Sequence, residues 1–153
     1  MLPRFEYSVR VPVPVDAAFH AFQDLNRLLH RGIYQEALFV EGKPWEVGSR
    51  LRYVVLKPVQ TTISAVVNTL SAPRAISLLN HALGVTAEQQ VTFGPDLQGG
   101  TRVRMTCECV GEPTEVSESV IGEIVEFLTR DTLDTMAALC NENARRNSSA
   151  SGR

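Results

Sequence analysis

The sequence VSESVIGEIVEFLTRDTLDTMAALCNENAR, residues 116–145, repeats apolar side chains with helical spacing. At roughly 100° per residue, these side chains gather on one stripe of a helix and the charges gather on the opposite face. The stripe contains Ile121, Ile124, Val125, Leu128, Thr132, Thr135 and Leu139. Glu126, Arg130 and Asp134 follow one another at i,i+4 spacing, which supports a solvated surface. The segment therefore predicts one long amphipathic helix near the C-terminus.

Alternation with a period of two precedes this helix and predicts β-strands. Before Pro113, residues 102–109 place apolar side chains on one face and polar or charged side chains on the other. Residues 4–12 alternate in the same way. About five further strand-like segments lie between Ala37 and Phe93, where β-branched residues are frequent and Gly or Pro marks turns.

Two short helical segments separate the first strand from the others. Pro14 suits the first turn of a helix, and Asp16 complements the N-terminal dipole of that helix. We expect this helix to run to about Leu25, followed by a second short helical piece that contains Leu28 and Leu29.

This order of elements predicts an α+β fold. An antiparallel sheet with one solvated face must cover its other face, and only the long helix is large enough to do so. We expect a curved antiparallel sheet of about six to seven strands around that helix, enclosing an apolar pocket. A chain of 153 residues is expected to form one domain, here residues 1–146. Residues 147–153 are small and polar, and we expect them to form a flexible tail.

Four short motifs occur in this order and carry a resemblance to a known family. They are VPVPVDAAF at 11–19, GKPWEVGSRL at 42–51, SAPR at 71–74 and GGTRV at 99–103. Together with the element order, they resemble the START-like (SRPBCC) superfamily over residues 4–145. That superfamily includes polyketide cyclases and birch-pollen-allergen-like proteins, and it shares the helix-grip fold.

The resemblance implies a function as well as a fold. Members bind hydrophobic small molecules such as lipids, polyketides or sterols, some are enzymes, and some bind chaperones or other proteins. The fold does not choose among these functions. No catalytic residue is carried over, because the superfamily has no shared catalytic signature.

Composition and charge exclude several classes of partner. The formal net charge is -2 and the basic residues form no stripe, so no nucleic acid is expected to bind. The uncharged segment 75–87 is too short to span a bilayer. The opening residues lack the pattern of a secretory signal, and the three cysteines form no disulfide framework. We therefore expect reduced thiols and a cytoplasmic location.

No established catalytic, metal or cofactor motif occurs in the chain. A nucleophile elbow, a zinc-binding helix, a phosphate loop and a dinucleotide fingerprint are all missing. The three histidines are scattered, and neither they nor the cysteines have ligand spacing, so no metal or cofactor is expected. Two residues are possible acid or base groups. His30 lies where a pocket mouth could form, and Asp131 lies on the edge of the helix stripe.

Inward-facing positions predict which side chains line the pocket. Strand alternation and the helix stripe select Tyr53, Val55, Gln89, Met105, Leu128, Thr132 and Thr135. The polar members of this set need hydrogen-bond partners when buried. Either a ligand supplies those partners, or the side chains satisfy one another and the backbone. Asp131 is a solvated carboxylate or, if the sheet curls around it, a buried general base.

Three functions remain open at this point. The leading hypothesis is the binding or carrying of an apolar small molecule without catalysis. The first alternative is an enzyme similar to polyketide cyclases and aromatases. The second is a protein-interaction module of the co-chaperone type, for which a filled core with exposed Phe39 and Trp45 would be the sign. The sequence leaves the oligomeric state open between monomer and homodimer.

Overall fold

A computed structural model describes residues 3–30, 32–111 and 117–151, without the side chains of 148–151. The elements run in the order β1 Arg4–Val11, α1 Val15–Gln23, a 3₁₀ helix Leu25–Leu29, β2 Tyr34–Glu41, β3 Arg50–Val55, β4 Thr61–Ser71, β5 Ala75–Ala82, β6 Val85–Pro95, β7 Thr101–Val110 and α2 Glu118–Ser151. The expected order of one strand, two short helices, further strands and a long helix is confirmed.

The strands form one seven-stranded antiparallel sheet in the order β1-β7-β6-β5-β4-β3-β2. Strands β2 to β7 follow one another as a meander, and β1 pairs with β7. The first and second strands in the chain therefore form the two opposite edges. The chain crosses from one edge to the other through α1 and the 3₁₀ helix, which pack against α2 and so help to enclose its inner side.

The long helix covers the concave face of the sheet, but its buried surface is wider than the predicted stripe. α2 contacts β1, β7, α1 and the 3₁₀ helix. Leu133 and Met136, both outside the predicted stripe, have no exposed surface, whereas Leu128 within it is only partly buried. Because helices cover α2 on one side and strands cover it on another, two faces of α2 are buried instead of one.

The end of α2 also differs from the expectation. The helix continues through Ser151, so residues 147–151 have helical backbone where a tail was expected from 147. The polar composition of this segment suggested an end near residue 145, but no Gly or Pro interrupts the segment before Gly152. The expected start at residue 116 lies outside the described residues. Among the described helices, none is both long and apolar enough to cross a membrane.

Candidate functional site

The buried apolar side chains form two separate clusters. The larger cluster fills the space between α1, α2 and most of the sheet. The smaller one contains Val85, Cys107, Cys109, Ile121 and Val125, where the β5–β6 turn and β7 face the first turns of α2. A cavity lies between α2 and the concave face of the sheet, and members of both clusters line it. The core is therefore divided by a cavity at the N-terminal half of α2.

The cavity is large enough for a small organic molecule. Its volume is ≈ 120 Å³, which is room for several water molecules. Its wall is mainly apolar and includes small side chains such as Ala82, Ala87, Cys107 and Cys109. Because these side chains are short, the curved sheet and α2 do not close the space between them.

One end of the cavity contains a buried arginine from the 3₁₀ helix. The Arg27 guanidinium donates hydrogen bonds to the backbone oxygens of Ala21 (3.1 Å), Phe22 (3.1 Å) and Thr132 (2.9 Å). It also lies 5.3 Å from the centroid of the Phe22 ring. Burial lowers the pKa of Arg27, and the oxygens of two neighbouring tyrosines oppose this effect. Arg27 thus ties α1 to α2 and places a guanidinium in the cavity wall.

Those two tyrosines come from adjacent strands. Tyr34 begins β2 and Tyr53 lies in β3, and their ring centroids are 6.0 Å apart. Burial raises the pKa of Tyr34 to about 12, against a hydrogen bond from the side chain of Thr132 that lowers it. Burial also raises the pKa of Tyr53. Both phenols therefore remain protonated at neutral pH. In the described part of the chain, the Tyr53 hydroxyl has no hydrogen-bond partner.

The sheet wall carries a second set of polar side chains, which bond to one another. Asn80 donates to the Gln89 side-chain oxygen at 3.0 Å, and the Gln89 amide donates to the Met105 sulfur at 3.4 Å. These side chains lie on β5, β6 and β7 and line the cavity. Their mutual contacts hold the amides against the sheet wall.

Aromatic side chains line the cavity next to Arg27. Trp45, in the β2–β3 loop, lies 6.3 Å from Phe22 and 5.1 Å from Phe39 between ring centroids. Trp45 has φ 66, an unusual left-handed conformation for a large side chain. Trp45 and Phe39 are both partly buried against the larger cluster.

Five of the seven side chains selected from the sequence line the cavity. These are Tyr53, Gln89, Met105, Leu128 and Thr132. Val55 and Thr135 are buried but do not line it. Val55 belongs to the larger, filled cluster. Thr135 lies almost one turn beyond Thr132 along α2, and its hydroxyl has no hydrogen-bond partner within the described residues. Periodicity placed both side chains on the inner face correctly, but it does not indicate where the cavity ends.

Neither of the two possible acid or base groups lines the cavity. Asp131 is 8% exposed and does not line the cavity. Its negative charge weakly opposes the lowering of the Arg27 pKa by burial, and it adds to the raising of the Tyr34 pKa by burial. His30 follows the 3₁₀ helix, is exposed and does not line the cavity.

Arg27 and Tyr34 line the cavity but were not selected from the sequence. We call the part of the cavity that contains Arg27, Tyr34 and Tyr53 its polar end. Arg27 lies in LNRLLH, a pattern in which an arginine is normally solvated. Tyr34 begins a strand that was expected to start near Ala37. No pattern in the sequence marks either residue as buried. Nowhere in the described ranges do three His, Cys, Asp or Glu side chains form a group that could hold a metal.

Comparisons with known proteins support the fold. No protein-family model matches the chain, and no curated protein matches it. Among solved structures, Ara h 8.0201 has a TM-score of 0.71 at 11% identity, over 90% of this chain and 96% of that one. Protein CV1439 from Chromobacterium violaceum has a TM-score of 0.67 at 14% identity, over 90% and 96%.

Protein Ms6760 from Mycobacterium smegmatis is also similar, with a TM-score of 0.70 at 15% identity over 89% of each chain. At these identities the similarity concerns the fold, and the helix-grip architecture expected from the resemblance is confirmed.

Proposed function

We propose that this helix-grip protein binds or carries an apolar small molecule in the cavity between the sheet and α2. The observation that carries the proposal is the division of the core into two clusters by a mainly apolar cavity. Small-molecule sites in proteins typically combine apolar walls with a few convergent polar groups. Arg27, Tyr34 and Tyr53 are such groups here.

The energetics of the cavity favour an occupant. Unfilled apolar space costs a folded protein on the order of 20–30 cal/mol per Å³, because the lining atoms lack contacts. A ligand that fills the cavity restores these contacts and removes its own apolar surface from water. We therefore expect a bound molecule to stabilise the fold.

The chemistry of the wall favours binding over catalysis. Burial raises the pKa of Cys107 to about 12, so its thiol is protonated at neutral pH and is a poor nucleophile. The phenols are likewise protonated, and Asp131 does not line the cavity. The cyclase-like alternative thus has no accessible base among these groups. The interaction-module alternative required a filled core, whereas Phe39 and Trp45 pack against each other beside a cavity.

Filling the cavity tests the proposal. The side chain of Ala87 lines the cavity, whereas Gln90 on the same strand is exposed. We expect Ala87→Phe to abolish binding of a neutral fluorescent probe such as N-phenyl-1-naphthylamine, and the matched control Gln90→Phe to bind as the parent does. Circular dichroism of each variant verifies that it is folded. A folded Ala87→Phe protein that binds the probe with unchanged affinity would contradict the proposed site.

Native mass spectrometry of the purified protein identifies any natural occupant. We expect a small organic molecule to copurify, and the filled Ala87→Phe cavity to carry less of it. Equal occupancy of a folded Ala87→Phe protein and the Gln90→Phe control would place the molecule elsewhere.

A further inference from the structure

Two side chains of the cavity wall, Arg27 and Tyr53, have hydrogen-bond donors without a partner among the described residues. Arginine has five N–H donors and no acceptor. Three backbone oxygens receive hydrogen bonds from Arg27, so some of its donors remain for another partner. The Tyr53 hydroxyl, in a residue only 8% exposed, has no partner among the described residues.

Several other polar groups of the cavity already make hydrogen bonds with one another. The Tyr34 oxygen already has a hydrogen bond with the side chain of Thr132. Asn80 and Gln89 bond to each other, and Gln89 also reaches the Met105 sulfur. Arg27 and Tyr53 both keep donors that an acceptor in the cavity would engage.

The opposite end of the cavity is mainly apolar. Val85, Ile121 and Val125 are apolar, and the cysteine thiols beside them are weak hydrogen-bonding groups. A ligand that matches both ends has one polar end and an apolar remainder.

The observed partners of Arg27 indicate which acceptor fits. The buried guanidinium directs its three hydrogen bonds to neutral backbone oxygens. A neutral oxygen accepts the same hydrogen bonds without bringing a further charge into a buried site, where an added charge is costly.

We infer that the ligand is an uncharged apolar molecule with a carbonyl oxygen at one end, and that this oxygen accepts hydrogen bonds from Tyr53 and Arg27. This inference rests on the proposed function. Tyr53 is the specificity-determining residue, because its hydroxyl belongs to the cavity wall and has no partner among the described residues. The apolar part of the molecule lies toward the smaller cluster, against Ile121 and Val125.

The test compares 2-undecanone with undecane as competitors for N-phenyl-1-naphthylamine. Tyr53→Phe removes the hydroxyl and little volume, so we expect it to weaken the ketone about five- to tenfold and to leave the alkane unchanged. Tyr7→Phe is the matched control, since the Tyr7 hydroxyl bonds to Asp134 and Tyr7 does not line the cavity. We expect it to change neither affinity.

Undecanoate is the third competitor and tests the charge. We expect the parent protein to bind it more weakly than 2-undecanone. Tighter binding of undecanoate, or an equal effect of Tyr53→Phe on ketone and alkane, would overturn the inference while leaving apolar binding intact. If neither ketone nor alkane displaces the probe and the probe itself does not bind, the proposed function fails as well.

Discussion

Single residues show how burial changes the chemistry of ordinary side chains. Arg27 keeps its charge inside the protein by donating to three backbone oxygens, which fix the positions of α1 and α2. Burial has a different consequence for the three cysteines, all of which are free and buried. It raises the pKa of Cys107 to about 12 and that of Cys140 to about 11.

The cysteines lead to a prediction about reactivity. The thiolate is the reactive form, and a raised pKa keeps the thiols protonated at mildly alkaline pH. We expect iodoacetamide to label Cys107, Cys109 and Cys140 slowly in the folded protein and rapidly in concentrated guanidinium chloride without reductant. Mass spectrometry counts the adducts. Three adducts within minutes under native conditions would contradict the burial described here.

The raised pKa values of the cysteine thiols also make the stability of the protein depend on pH. The unfolded thiols lose their protons at about pH 8.5, well before the folded thiols do. Above that pH the unfolded state binds fewer protons, so the free energy of unfolding falls as pH rises. Below it, the thiols are protonated in both states and contribute no slope.

Among the elements, α2 carries the largest share of the architecture. It contacts β1, β7, α1 and the 3₁₀ helix, and it also forms one wall of the cavity. Its side chains therefore divide by role. Leu133 packs in the filled cluster with no exposed surface, whereas Leu128 is partly buried and lines the cavity.

This division predicts two different outcomes for the same substitution. Leu133→Ala should lower the free energy of unfolding by about 2–5 kcal/mol, because it opens a hole in close packing. Leu128→Ala should lower the free energy of unfolding by less than Leu133→Ala does, because it enlarges an existing cavity. It should change the affinity for the probe, which Leu133→Ala should not. Denaturant titrations and probe binding measure both. Equal destabilisation by the two variants would contradict the distinction between filled core and cavity wall.

The whole molecule is a curved sheet that grips one helix, with the two short helices bridging its edges. Strands β1 and β2 are the outer strands of the sheet. Some charges on its outer surface are paired, as in Arg104–Glu6 and Arg52–Glu36, and these pairs contribute little to stability because they are solvated. Stability depends mainly on the two apolar clusters and on what fills the space between them.

Ligand binding is therefore expected to stabilise the whole molecule. A ligand that binds only the folded state adds about 2.7 kcal/mol to the free energy of unfolding at a free concentration of roughly 100 times its Kd. We expect saturating 2-undecanone to raise the Tm of the parent by several degrees and to leave the Tm of Ala87→Phe unchanged. Differential scanning fluorimetry measures the shift. An equal shift in both proteins would indicate binding outside the cavity.

Local periodicity was sufficient to predict most of the fold. The alternation in residues 102–109 and the helical spacing after Pro113 correctly predicted β7 and α2. Both patterns arise from backbone geometry, which sends side chains to alternate faces of a strand and to one side of a helix. The inward orientation of Tyr53 and Gln89 follows from the same rule.

Only the tertiary structure decided which polar side chains are buried and which residues line the cavity. Arg27 and Asp131 are buried because distant segments pack over them, and their own neighbours in the sequence give no sign of that. Thr132 lines the cavity and Thr135 does not, although both belong to one stripe. The position of an empty space depends on the curvature of the sheet and on side-chain volumes contributed by several strands at once. Periodicity records which way a side chain points, whereas a cavity depends on what the other elements leave unfilled.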